Sequence, residues 1–372
     1  MSTYANSRPP LPQDALTLPA RYYTAPEQFA RELERIHRGM WLWAGRAQEI
    51  PRPGDFFVRE VAGASVMVVR GEDGAVRAFH NTCRHRGTLL CAEESGAFPG
   101  RIRCPYHAWT YDLAGRLVGA PHMDKVEGFR EEDHPLGAVA TAEWDGHVFM
   151  HLGGSPIPFV RHAQDLVDRL RPWRMEELVR VERRVYPVCA NWKLIVQNYS
   201  ECLHCPVAHP LLHEQSHYMS GENDAPRATW LGGRMDLRDG VETLSMDGKS
   251  GRACLPGLRA PHTRQVHYYA LLPNLLLNLH PDFMLTLTLW PRAVDRTDVI
   301  AEWSFHPDAI AAPGFDPSSS IDFWDLTNRQ DWELSERAQA GISSLGYRPG
   351  PYSNREELLH AFDALVVERT RD

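Results

Sequence analysis

NTCRHRGTLLCAEESGAFPGRIRCPYHAWTYDLAGRL, from Asn81 to Leu117, holds two short cysteine and histidine pairs, Cys83-Arg-His85 and Cys104-Pro-Tyr-His107, with residues 86 to 103 between them. Each pair stands at the end of a run that reads as a strand, so each is expected on a loop projecting from a β-scaffold. A [2Fe-2S] centre with two thiolates on one iron and two imidazoles on the other needs that donor set, and the imidazoles raise its potential above that of an all-cysteine cluster. Two cysteines and two histidines are also a zinc set. Zinc-finger spacing, however, puts both cysteines in one half and both histidines in the other. Here each half contributes one of each, which favours the iron-sulfur cluster.

Outward from these loops the apolar period is two. FFVREV from Phe56 and SVMVVR from Ser65 alternate as strands do, and Asp73-Gly74 is the dipeptide of a tight hairpin. Short strands and glycine turns continue to His151, so residues 42 to 153 read as an all-β domain. Before it, residues 1 to 41 are a polar, proline-rich arm without the apolar core of a signal peptide, followed by a short helix expected to pack on the second domain. Thr24-Ala-Pro-Glu27 has the pattern of a capping box, with Phe29, Leu33 and Ile36 at helical spacing behind it.

Gly154-Ser-Pro-Ile-Pro158 marks the boundary to a second domain, residues 154 to 372. It opens with a helix through HAQDLVDRL and the strand VRVERRVYPV, and a helix is expected around Asn191 to His209. Apolar segments alternate with loops up to Phe305. The stretch from Ser216 to Ala260 reads as a long loop covering an active site. Helices are expected from about Ser319 to Gly341 and from Glu356 to Arg369. The fold class is therefore α+β.

Composition narrows the partners. The chain has 372 residues, a formal net charge of -8 and no basic patch, which argues against nucleic acid. Its longest apolar stretch, Tyr268 to Trp290, is interrupted by Pro273, Asn274, Asn278, His280, Pro281 and Asp282, so it is not expected to span a membrane, and with an N-terminal arm unlike a signal peptide a cytoplasmic location is expected. The seven cysteines are odd in number, and several stand close to a histidine; that favours metal chemistry over disulfides in a reducing compartment. Cys91 has no motif partner and reads as a small buried side chain.

A second constellation lies in NWKLIVQNYSECLHCPVAHP, residues 191 to 210, where Glu201, His204 and His209 follow one another. Were the segment helical, Glu201 and His204 would share a face, and His209 would need a bend or the helix end near Pro206 or Pro210. Two imidazoles and one carboxylate make the facial triad of non-haem Fe(II) oxygenases, with open positions for dioxygen. A histidine pair is more often ordinary core or surface filling, but the neighbouring Asn191-Trp-Lys193 and the prolines argue against that here.

The strings NTCRHRGTLL and CPYHAWTYDLAGRL resemble the two cluster loops of the Rieske non-haem iron oxygenases, with further matches at Arg86, Gly87, Tyr106, Trp109 and Gly115. The resemblance covers the chain from about residue 40 to its end and implies an N-terminal Rieske [2Fe-2S] domain and a catalytic helix-grip domain with an antiparallel sheet. It assigns Cys83 and Cys104 to one iron and His85 and His107 to the other. In the second domain it implies a mononuclear iron held by His204, His209 and Asp331 of TNRQDWELSERAQAG, with Asp325 and Glu333 as alternatives should the helix register differ. Glu201 stands where the family has an acidic residue bridging a ligand histidine, here His204, to a cluster histidine of the neighbouring subunit, here His107. That pairing requires an oligomer, and the resemblance implies a homotrimer.

The resemblance further implies O2 as co-substrate and electrons from NAD(P)H. The chain has no dinucleotide fingerprint and no plant-type ferredoxin cysteine run, so a separate reductase, with or without a ferredoxin, is expected as partner. Glutamate at position 201, where most ring-hydroxylating members have aspartate, and the short C-terminal pattern are similar to the branch that oxidises quaternary ammonium compounds such as carnitine, glycine betaine and stachydrine. A small cationic substrate would want aromatic faces, and Tyr199, Tyr218, Trp230, Tyr268, Tyr269 and Trp290 are candidates, although each is also an ordinary core residue. Hydroxylation of an aromatic ring or a natural-product scaffold is the second reading, with LLPNLLLNLH as an apolar pocket wall. An electron carrier that uses the cluster alone is a third, opposed by the completeness of the second metal set.

Overall fold

The computed structural model describes residues 11, 12 and 15–371; most of the proline-rich arm lies outside them. They form two compact units, one spanning His37–His162 and the other built from the residues before and after it.

The first unit is a sheet with a smaller sheet carrying part of the cluster motif. Seven strands, β1 (Leu42–Arg46), β2 (Asp55–Val61), β3 (Ala64–Arg70), β4 (Val76–His80), β5 (Ser95–Ala97), β9 (Ala138–Trp144) and β10 (His147–His151), pair in the order β1-β10-β9-β4-β3-β2-β5. Three more, β6 (Arg101–Arg103), β7 (Thr110–Asp112) and β8 (Leu117–Gly119), form a separate antiparallel sheet. The Asp73-Gly74 hairpin joins β3 to β4, with Gly74 at φ 80° and the Asp73 carboxylate accepting from the Ala75 amide at 3.1 Å. Phe56, Met67, Phe79, Ile102 and Tyr111 form a buried cluster that includes both motif cysteines, which fixes the loops from below.

The second unit is built on a fully antiparallel sheet. Its strands are β11 (Val179–Val188), β12 (Glu222–Asn223), β13 (Trp230–Asp236), β14 (Gln265–Leu271), β15 (Leu275–Leu279), β16 (Phe283–Ala293) and β17 (Arg296–Phe305), in the order β11-β17-β16-β15-β14-β13-β12. The apolar stretch from Tyr268 to Trp290 is three of these strands joined by tight turns at Pro273-Asn274 and His280 to Asp282, buried almost throughout. A continuous apolar run cut by turn residues is what a strand covered on both faces requires. The long helix Ser318–Ile342 belongs to the same unit, and no helix among the described residues is long and apolar enough to cross a membrane.

Four local expectations are corrected. Thr24 does not cap the helix Pro26–Glu32; it ends the preceding turn, where its hydroxyl donates to the Ala20 carbonyl at 2.9 Å, and Ala25 takes the cap position. The segment after Asn191 is not one helix: it stops at Tyr199 and resumes as short turns at Cys205–Ala208 and Pro210–Gln215, each with a proline in its first turn. The stretch from Ser216 to Ala260 is not all loop. It holds β12 and β13, concealed because β13 contains Gly232-Gly233, residues usually depleted from strands. They are needed there, since a Cβ on Gly232 would lie 2.2 Å from the Tyr268 carbonyl oxygen and one on Gly233 would lie 2.3 Å from that of Glu222. Finally, Cys202 and Cys205 form a disulfide where none was expected, because the turn between them brings their Cα atoms to 5.0 Å, within disulfide reach.

A buried polar network ties the ends of the second unit to the helix Trp192–Tyr199. Lys193 and Glu32 form a fully buried ion pair at 2.6 Å, and the Trp192 indole N–H also donates to Glu32, at 2.9 Å. That accounts for Asn191-Trp-Lys193 structurally: the asparagine side chain caps the helix by accepting from the Lys193 amide. Asp363 of the C-terminal helix accepts from Gln197 and Tyr352, both at 2.6 Å. Burial outweighs these bonds and pushes the Asp363 carboxyl up to about 6. A folded-state value above the unfolded one means that the folded protein binds this proton more tightly. Stability from Asp363 is therefore present below about pH 4 and lost as pH rises through about 6. Asp363→Asn is expected to gain roughly 1 kcal/mol relative to the parent between about pH 5 and about pH 8, read by denaturant unfolding. Parallel pH curves for the two proteins would sink this assignment.

Candidate metal centres and substrate cavity

The two cluster loops close by the same device. Cys83 donates its amide to Thr88 at 2.8 Å and Cys104 donates to Trp109 at 2.8 Å, so each cysteine sits at the mouth of a tight turn. Residues in the left-handed region complete them, Gly87 at φ 72° and Ala108 at φ 58°. The buried Asn81 side chain pins the far end of the first loop: its amide nitrogen donates to the Cys91 carbonyl at 2.7 Å, and its oxygen accepts from the Leu90 and Cys91 amides. Cys91 is a buried member of the underlying core, its thiol donating to Glu93.

Between the loops, the Cys83 and Cys104 side chains are buried, whereas His85 and His107 are half-exposed, their rings 4.7 Å apart. Trp109 stacks on His85 at 4.8 Å and Tyr106 leans over His107 at 3.7 Å. Burial pushes the Cys83 thiol up, and the Tyr111 hydroxyl lies 3.5 Å from its sulfur. The Nδ1 atoms of His85 and His107 are buried without a hydrogen-bond partner. Two orphaned ring nitrogens beside two buried thiols are a donor set that fits a [2Fe-2S] cluster.

In the other unit, His204, His209 and Asp331 converge although 122 residues separate the last two. His204 Nε2 lies 3.3 Å and His209 Nε2 2.9 Å from the same oxygen, Asp331 Oδ1. The outer ring nitrogens are already committed. His204 Nδ1 is 2.5 Å from Glu201 Oε1 and His209 Nδ1 is 2.7 Å from Gln330 Oε1, which turns both Nε2 atoms inward. Burial disfavours a charged His204, but its hydrogen bonds to Asp331 and Glu201 outweigh this and raise it to about 10. Asp331 is likewise opposed by burial and held below the usual carboxylate range by the two histidines. Two carboxylates on either side of the His204 ring make this a point where positive charge is favoured. Cys205 Sγ is also near, at 4.0 Å from His204 Nε2, but its bond to Cys202 leaves it no thiolate to offer. Two nitrogens and a carboxylate oxygen fit iron.

Asp325 and Glu333 stand elsewhere. Asp325 accepts from Tyr186 at 2.5 Å and pairs with Arg184 and Arg329, while Glu333 pairs with Arg337 on the exposed face of the helix. Gln330 was not foreseen, nor was Trp324. Trp324, Thr327 and Asp331 all line one cavity and follow the i, i+3, i+7 spacing of one helix face, the signal that would have found them.

That cavity has a volume of about 550 Å3 and opens beside Glu201, His204, His209 and Asp331. Of the six aromatic candidates, Tyr199, Tyr218 and Tyr268 line it. Trp230, Tyr269 and Trp290 are buried in the sheet core instead. Tyr199 and Tyr268 meet edge to face at 6.3 Å, and Tyr268 and Trp324 do so at 6.4 Å, so three rings form adjoining walls. Tyr199 is held by donating to the Leu277 carbonyl and the Asn278 side chain, both at 2.7 Å. The lining carries five carboxylates, Glu201, Glu222, Asp236, Asp331 and Glu357, against two guanidiniums, Arg234 and Arg355.

Comparison with known proteins places both parts of the chain in known families. Residues 40–130 match the model of the Rieske [2Fe-2S] domain, and residues 175–372 match that of the ring hydroxylating alpha subunit (catalytic domain). The chain is 34% identical to the glycine betaine monooxygenase oxygenase subunit of Chromohalobacter salexigens, over 92% of this chain and 82% of that protein. It is 30% identical to the carnitine monooxygenase oxygenase subunit of Escherichia coli K12, over 91% and 87%. Among solved structures it superposes with a TM-score of 0.83 on a quaternary ammonium Rieske monooxygenase involved in carnitine oxidation, at 27% identity over 96% of both chains. The cofactors of such enzymes are a [2Fe-2S] cluster and a mononuclear iron that works with O2. With a Rieske domain followed by this catalytic domain, the chain belongs to the ring-hydroxylating alpha-subunit family of Rieske non-haem iron oxygenases.

Proposed function

We propose that this oxygenase subunit hydroxylates an N-methyl group of a small quaternary amine, leading to N-demethylation or C–N cleavage. The observation that carries the reading is the cavity itself: rings of Tyr199, Tyr268 and Trp324 packed edge to face, an excess of carboxylates, and the His204, His209 and Asp331 triad in the same lining. Aromatic faces and surplus negative charge attract a cation that has no N–H to donate. Relatives named for glycine betaine and carnitine support the same class.

Cys83, His85, Cys104 and His107 would hold the cluster, and His204, His209 and Asp331 the iron. When bound, that iron supplies dioxygen activation next to the substrate. The protein's own part is to hold the imidazoles, through Glu201 and Gln330, and to present a methyl group from the aromatic walls. Electrons would reach the cluster from NAD(P)H through a separate reductase, with or without a ferredoxin. They would then pass between subunits of a homotrimer, with Glu201 between His204 and the partner subunit's His107. The partial exposure of His85 and His107 on the first unit suits that transfer.

With a reconstituted electron chain, glycine betaine or carnitine is expected to yield formaldehyde or a C–N cleavage product in step with oxygen uptake. Uncoupled oxygen use with every quaternary amine, alongside hydroxylation of an aromatic acid, would replace this reading by the aromatic one.

A further inference from the structure

The cavity's two guanidiniums differ in a way that bears on which quaternary amine fits. Arg234 is neutralised by Glu222 across the β12–β13 pair. Arg355 lies on the short loop before the C-terminal helix Glu357–Thr370; its backbone amide donates to Ser353, and its guanidinium makes no ion pair among the described residues. It lines the same cavity as the aromatic walls and the metal-binding triad. An arginine normally finds a carboxylate or phosphate for its planar fork of donors, and one left without a partner on a cavity wall is available to a ligand. The carboxylates of this lining that have described partners are committed to them: Glu201 to His204, Glu222 to Arg234, Asp331 to the histidines, Asp236 to Gln265 and Glu357 to Asn223.

We propose that Arg355 is the specificity-determining residue that receives a substrate carboxylate, so that the substrate is a zwitterion with its quaternary nitrogen at the aromatic walls and its anion at Arg355. The inference rests on the N-methyl reading above and narrows it, because a purely cationic alcohol such as choline offers a free guanidinium only a neutral, single acceptor, and its positive charge is repelled by it. A bidentate, charge-assisted contact gives the arginine its selectivity, whereas the aromatic walls bind both compounds through the same ammonium group.

The experiment is a calorimetric titration of the iron-loaded holoenzyme and of its Arg355→Gln and Arg355→Lys variants with glycine betaine and with choline, which share the trimethylammonium and differ in the carboxylate. The parent is expected to bind glycine betaine at least about tenfold more tightly than choline. Arg355→Gln should lose that preference with choline affinity unchanged or improved, and Arg355→Lys should restore part of it. In turnover, the same variant should raise KM for glycine betaine with little change in kcat. Equal weakening of both ligands, or an unaltered preference in Arg355→Gln, overturns the role of Arg355 and leaves the N-methyl reading standing. Tighter binding of choline by the parent overturns the zwitterion while leaving N-methyl oxidation intact. Binding of neither compound, with no formaldehyde from any quaternary amine, overturns both. Retention of the cluster's visible spectrum in each variant shows that the comparison is made on folded protein.

Discussion

Replacing Asp331 by alanine is expected to abolish product formation while leaving the visible spectrum of the cluster unchanged. Asp331 Oδ1 is the atom on which His204 and His209 converge, at 3.3 and 2.9 Å, and Asp331 is the carboxylate of this three-residue set. Removing a residue that merely orients a metal ligand costs about 10- to 100-fold in metal affinity or activity, so removing the ligand itself should cost more than about 100-fold. His204→Ala should behave likewise. Iron analysis of the variants should show the cluster's iron retained and the mononuclear iron lost. Asp325→Ala is the internal control: Asp325 is occupied by Tyr186 and Arg184 and should leave activity within a few-fold of the parent. A bleached cluster in Asp331→Ala would contradict the assignment of the two centres to separate units, and normal turnover would remove Asp331 from the triad.

What could be read in advance depends on how far apart the cooperating residues lie in the chain. The cluster loops were legible because each supplies its cysteine and histidine within four consecutive residues, and the order within each half separates the cluster from zinc. His204 and His209 were nearly as accessible. Asp331 was reached only through the resemblance of its helix, since a carboxylate on a helix usually faces solvent, as Glu333 does here. Once Asp331 is placed, helical periodicity alone leads to Thr327 and Trp324 on the same face, so those two were readable and overlooked. Gln330 is different. It reaches His209 from the neighbouring helix position, and nothing in its local sequence marks it. β13 was hidden by a conflict between levels: Gly232-Gly233 is a poor strand former, but the backbones of Tyr268 and Glu222 come too close for any side chain. The same strand lines the cavity, so the segment whose pattern was weakest is part of the site.

Glu201→Gln should keep both metals and yet slow the reoxidation of the cluster in a single turnover by about tenfold or more. The expectation follows from how the carboxylate is used. An ionised carboxylate offers about four acceptor positions. Two are taken within the chain, one by His204 Nδ1 at 2.5 Å and one by the Leu203 amide. The remaining positions are free to accept from a second imidazole, the role proposed for the partner subunit's His107. Glutamine preserves the length of the side chain and one acceptor oxygen, so His204 can stay oriented and the iron site should still load. The amide, however, carries no charge and replaces the second acceptor by a donor, so it cannot accept from two imidazoles and the Leu203 amide together. Electron transfer should therefore suffer more than metal binding. Glu201→Asp distinguishes charge from reach: it restores the carboxylate one methylene short, and recovery of most of the rate would show that charge dominates. If Glu201→Gln loses its mononuclear iron instead, the residue serves to hold His204 alone. If single-turnover reoxidation is unchanged with both metals present, the path between subunits does not run through position 201.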